Sequence, residues 1–154
     1  MSITLQSFLS EASTKTSTNL QTAFLRIPED KRAWSAEDKS RSALDMVAEC
    51  ALLNGYTVEM IQTKAWNPGR FGGYFEEKAE VVKGGWEKIK GLLDDNTAKV
   101  AAAIAAAPDS DLAVVVDMPW GSQTVAEILA YPYWNMSYHE GQINFIASML
   151  GTLE

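Results

Sequence analysis

The sequence predicts an all-α protein, with four helices packed as an antiparallel bundle in one domain spanning residues 1–154. Three observations carry that expectation. Four segments repeat apolar residues at intervals of three and four, the period of a helix that buries one side. Four of the five prolines (Pro28, Pro68, Pro108 and Pro119) fall between those segments, where a helix has to stop. Only Leu112 to Met118 is β-branched enough to be extended, and it is too short and isolated to build a sheet alone.

The first helix lies within residues 2–27, where Leu5, Phe8, Leu9, Ala12, Thr16, Leu20, Ala23, Phe24 and Ile27 form one side. Ser, Thr, Gln, Lys and Asn form the other, and Pro28 ends the helix. Residues 28–41 are charged and polar apart from Trp34. They read as an ordered connection pinned by that indole, with Ser35-Ala36-Glu37-Asp38 able to cap a short turn.

The second helix, Ser42 to Ala65, carries two apolar stripes, one through Leu44, Val47, Ala48, Ala51, Gly55 and Val58, the other through Met46, Cys50, Leu53 and Met60. Two stripes place it centrally, covered on more than one side. Asp45, Glu49 and Tyr56 run between the stripes. Glu49 is the carboxylate expected to be partly buried, whereas Asp45 reads as solvated. Residues 66–73 (Trp-Asn-Pro-Gly-Arg-Phe-Gly-Gly) read as a loop whose Trp66 and Phe71 cover a core end or form the mouth of a pocket.

A third helix is expected to keep Phe75, Ala79, Val82, Trp86, Ile89 and Leu93 on one face. It continues through Val100 and Ile104 to Ala107 and is weakened at Gly84-Gly85, since each glycine loses about 1 kcal/mol relative to alanine. Leu112 to Met118 is then an extended loop or a small hairpin, turned by Pro119-Trp120-Gly121. Thr124-Val125-Ala126-Glu127 is a capping box for the last helix, which Pro132 should kink or split.

Composition narrows the functional classes. A 154-residue chain can bury about 70% of its unfolded surface, and 47% hydrophobic with 21% charged residues suits an ordinary soluble domain. No apolar run approaches the roughly 20 residues that span a bilayer, and no leader opens the chain, so no membrane association is expected. The single Cys50 precludes an internal disulfide and suits a reducing, cytoplasmic setting. Thirteen basic against twenty acidic residues, a net charge of −7, argue against nucleic acid as a partner. One His and one Cys preclude zinc sites built from several such ligands.

The chemistry concentrates in residues 131–146, which contain the only histidine. Met136, His139, Ile143, Ile146 and Leu150 share one helical side, so the imidazole points inward, with Asn135 one turn earlier at the edge of that side. An inward imidazole is either a hydrogen-bonded structural node, partnered by Asn135 or by a second-helix carboxylate, or the floor of a site. If Glu49 faces His139, each favours the charged form of the other. Cys50, on an apolar stripe, reads as a buried inert thiol. Ser137 and His139, two apart on a helix, point away from each other and make no nucleophile–base pair. The glycines match no phosphate-binding loop.

The segment Tyr138-His139-Glu140-Gly141-Gln142-Ile143 resembles the His-Arg-Gly-Gln-Ile signature of the last long helix in the DinB-like superfamily. Val47-Ala48-Glu49 is similar to that family's His-hydrophobic-Ala-Glu segment, and Ile27-Pro28-Glu29-Asp30 to Trp34 to its first loop. The resemblance implies a four-helix bundle with an additional short helix, often dimeric, in a superfamily that includes thiol-dependent enzymes such as the mycothiol-dependent maleylpyruvate isomerases. Many members hold a divalent metal through one His of the second helix and two of the last. Here only His139 of that triad remains: Asn135 stands for the second last-helix His, the second-helix position falls at or next to Met46, and the family's Arg is Glu140.

The expectation is therefore a pocket between the second and last helices, its floor formed by His139, Asn135 and Glu49. Asp45, Met46, Trp66, Phe71, Trp120 and Trp134 are its candidate lining. It would serve as a binding site for an unidentified small molecule in a homodimer. The alternative is a metal- or thiol-dependent transferase or hydrolase, with His139 and Glu49 catalytic, or with His139, Asn135, Glu49 and water holding Zn, Ni, Mn or Fe.

Overall fold

The computed structural model describes residues 3–37 and 39–153, and these are predominantly helical. Asp38, at the end of the expected capping segment, lies outside the described residues. The neighbouring turn is closed by Ser40, whose Oγ accepts from the Glu37 N–H and donates to its carbonyl, both at 2.8 Å.

Six α-helices occur among the described residues: α1 Leu5–Leu25, α2 Ala43–Thr63, α3 Pro68–Gly72, α4 Tyr74–Lys83, α5 Gly85–Ala106 and α6 Val125–Leu150. An antiparallel hairpin joins the last two, with β1 Val115–Met118 paired to β2 Gly121–Thr124. The β-branched run thus adopts the hairpin, burying Val116 and Met118 on alternate positions. The expected capping box opens α6: Thr124 Oγ1 accepts from the Glu127 N–H while the Glu127 carboxylate accepts from the Thr124 N–H. Helix α6 runs unbroken through Pro132, so the chain is not split there.

Helices α1 and α2 each pack against both α5 and α6. Ser10 donates to the Ala101 carbonyl and Gln21 to Asp94, so α1 and α5 run antiparallel. Helices α2 and α6 are also antiparallel, pairing Glu49 with His139 and Asn54 with Met136. Phe8 meets Tyr133 and Arg26 meets Asn144, which makes α1 and α6 parallel neighbours. Helix α4 causes this arrangement. It returns the chain alongside α2, so α5 sets off in the same direction as α2.

The expected bundle is antiparallel throughout, whereas α1 and α6 run parallel; two element boundaries also need correction. The glycine-rich segment is not all loop, because Asn67 Oδ1 accepts from the N–H groups of Gly69 and Arg70 and caps the short α3 at its Pro68 start. The expected third helix is two helices. Gly85 adopts φ +74°, a left-handed conformation that interrupts the helical wheel. Helix α4 consequently turns Tyr74, Lys78 and Val81 inward, and Phe75 and Ala79 are exposed. Gly85→Ala is expected to lower stability by about 1 kcal/mol in chemical denaturation, because L side chains are strained there. A variant as stable as the parent would show that the break does not depend on that backbone conformation.

The core has two apolar halves. One gathers Leu20, Phe24, Val47, Leu93 and Ile143, the other Leu9, Ile61, Ile104, Val116 and Leu129. Between them lies a polar seam crossing all four long helices. Asn54 Nδ2 donates to Thr97 Oγ1 (3.1 Å) and approaches Met136 Sδ (3.5 Å), and Thr97 Oγ1 donates to Ser17 Oγ (3.3 Å). Ser13, Ser17 and Gln6 of α1, expected on the polar side, are buried, while Leu5 and Phe8 are exposed. Gln6 turns inward to the end of α5, donating to the Ala107 carbonyl and Asp109. At the seam α2 and α5 approach closely: a Cβ on Gly55 would sit 2.7 Å from Asn96 Nδ2, which donates to the Ala51 carbonyl.

Candidate functional site

His139 is 3% exposed, and its ring faces α2 as the helical spacing predicts. Nε2 pairs with Glu49 Oε1 at 2.9 Å and Nδ1 with Gln142 Oε1 at 2.6 Å. Both ring nitrogens are thus engaged, Nε2 by the Glu49 carboxylate and Nδ1 by the Gln142 side-chain amide. The second-helix carboxylate is therefore the partner; Asn135 is not. Asn135 is buried beside the ring, but its Nδ2 is directed to Cys50 Sγ at 3.7 Å.

From Glu49 the polar chain continues outward. Glu49 Oε2 accepts from Arg41 at 2.8 Å and from the Tyr74 hydroxyl at 3.3 Å. Arg41 also donates to Asp45 at 2.6 Å, and Lys78 pairs with Asp45 at 2.9 Å. Asp45 is thus not a solvated carboxylate; it bridges two cations. Helix α2 supplies both carboxylates at a spacing of four, α4 supplies Tyr74 and Lys78 one turn apart, and α6 supplies His139 and Gln142.

Burial alone would raise the Glu49 carboxyl, but the hydrogen bond with His139 and the charge of Arg41 outweigh it and hold the group at about 2. Burial raises the Cys50 thiol well above its ordinary value, and the Glu49 charge adds to this, which fits an inert core thiol. Tyr74 and Tyr131 are raised for the same two reasons, in that order, so both hydroxyls stay protonated at neutral pH.

A cavity of about 450 Å³ opens from Glu49 toward the hairpin end of the molecule. Trp66 and Phe71 stack with centroids 3.5 Å apart, and Trp120 from the hairpin packs edge-on against Trp66 at 4.6 Å, closing that end. Half of the fourteen lining residues are aromatic. Tyr131 and Gln123 also line it, and neither side chain has a hydrogen-bond partner among the described residues.

The structure sorts the sequence candidates into three places. Glu49, Trp66, Phe71 and Trp120 line the cavity. His139, Asn135 and Met46 lie buried outside its wall, and Asp45 belongs to the ion-pair chain. Trp134 lies on the outer surface of α6, 56% exposed and stacked on Tyr138, so it is not a wall residue. The pocket floor is therefore Glu49 alone, not the expected trio. His139, Asn135 and Glu49 do not converge on a common point, since Glu49 is bonded to the ring itself and Asn135 is turned to sulfur. Among the described residues no group of three or more His, Cys, Asp or Glu side chains could hold a metal ion.

Sequence reasoning missed Arg41, Tyr74, Lys78 and Gln142. The Gln142 signal was present, since i and i+3 on a helix are neighbours as much as i and i+4.

Fold and site together define a mostly helical protein with an aromatic-walled cavity that ends on a half-buried, ionised carboxylate. Compared with models of known protein families and with curated proteins, the sequence matches none. No helix among the described residues is long and apolar enough to cross a membrane.

Proposed function

We propose that this chain is a DinB-like four-helix bundle with added short helices, one that has lost the three-His metal site and binds a small molecule with an apolar body without transforming it. The observation that carries this reading is the cavity: about 450 Å³, half aromatic in its lining, with few polar groups, as small-molecule sites are built. The polar chain behind it supports the non-catalytic half of the reading. Both His139 nitrogens are engaged and the ring is outside the cavity wall, so the imidazole does not face a bound molecule. The alternative, a metal- or thiol-dependent enzyme using His139, has less support because Glu49 already occupies the ring nitrogen that would reach a ligand.

Calorimetric titration with naphthylmethanol, an uncharged aromatic probe, is the test. It is expected to bind at one site, and Trp120→Ala is expected to weaken it about tenfold. The melting temperature should barely change, since Trp120 is 64% exposed. Absence of binding, or equal affinity in the variant, would overturn the assignment of the cavity. Near-stoichiometric Zn, Ni, Mn or Fe in untagged protein, lost in His139→Ala, would favour the enzyme instead.

A further inference from the structure

The cavity wall carries one charge among the described residues, and it is negative. Glu49 lines the inner end, while no Lys, Arg or His does so. Arg41 and Tyr74 donate to one of its oxygens and His139 to the other. A carboxylate has about four acceptor sites, so Oε1 retains capacity for one more donor. Arg70 and Lys78 lie over the rings of Tyr56 and Tyr74, at 4.3 and 5.5 Å, yet neither lines the cavity. Burial first and the Glu49 charge second raise the nearby Tyr74 and Tyr131 hydroxyls, while Arg41 acts in the opposite direction.

Resting on the small-molecule reading above, we propose that the ligand is an organic cation, a protonated amine on an apolar, ring-sized body. Its N–H donates to Glu49 Oε1, and its body lies against the faces of Trp66, Phe71 and Trp120. Aromatic faces are negative and attract a desolvated cation, and the carboxylate supplies the directional contact. The unpartnered Tyr131 hydroxyl and Gln123 amide are available to a further polar group on the ligand. An anionic ligand would bring its charge against Glu49 with no lining cation to receive it. The net charge of −7 draws cations toward the molecule as well.

Three probes of one shape test this: naphthylmethylammonium, naphthylmethanol and naphthoate, each titrated calorimetrically into the full chain at neutral pH. The ammonium is expected to bind at least about tenfold more tightly than the alcohol, with the carboxylate weakest. In Glu49→Gln the ratio of ammonium to alcohol affinity should fall toward unity. If the alcohol equals or exceeds the ammonium in the parent protein, or the carboxylate binds best, the cavity is a ligand site but not one for cations. If none of the three binds, the small-molecule reading fails and the cation assignment fails with it. Should Glu49→Gln not fold, the order of the three probes in the parent protein decides alone.

Discussion

His139→Ala is expected to lower the unfolding free energy by about 3 kcal/mol, and the melting temperature by roughly 6–12 °C for a chain of this size. Two effects add. The substitution leaves Glu49 Oε1 and the Gln142 amide, both half-buried, without their partner. It also opens a void where the ring, 3% exposed, is removed from the core. Removing one member of a hydrogen-bonded pair costs more than the net value of the bond, because the survivor is left unsatisfied. Urea denaturation of parent and variant measures the difference directly. A change under about 0.5 kcal/mol, the range of ordinary surface substitutions, would show that the ring is not a structural node.

Acid should weaken the protein through Glu49 in particular. Its carboxyl is held at about 2 in the fold against an ordinary 4.5, so the folded state binds the proton less readily than the unfolded chain does. The stabilisation is fully present above about 4.5 and is lost as pH falls from there toward 2. The span between those values corresponds to roughly 3 kcal/mol, and the 16% exposure of the side chain keeps most of it from solvent screening. Denaturant midpoints measured across that window should fall steeply for the parent protein. Glu49→Gln, which has no carboxyl to titrate, should begin lower and follow a shallower course. Equal slopes would assign the acid sensitivity to other carboxylates.

How much of this could be read from residues alone varied by element. Helices α2 and α6 were legible almost to their ends, and so were the Thr124 capping box and the turn at Pro119-Trp120-Gly121. The inward face of α4 was not, because Gly85 resets the helical phase, and a stripe drawn through Phe75 and Ala79 crosses that reset. The pairing of His139 with Glu49 was legible because both positions are forced inward by apolar neighbours on their own helices. Arg41, Tyr74 and Lys78 could not be placed: they come from a polar connection and a short helix, and only tertiary packing brings them to Asp45 and Glu49. Trp134 shows the opposite failure. An aromatic beside the histidine suggested a wall, yet its position on the helix faces outward.

The Ser17–Thr97–Asn54 seam acts as a ruler along the helix axes. Apolar surfaces tolerate sliding past one another, but moving α2 or α5 by a single turn, about 5.4 Å, would strand the Asn54 amide and the Thr97 hydroxyl in hydrocarbon. The only low-energy alignment is therefore the one that keeps those groups in register, and it also fixes how far Glu49 on α2 stands from Trp120 on the hairpin. The depth of the cavity, and so the length of any molecule that fills it, depends on three small polar side chains that do not line it.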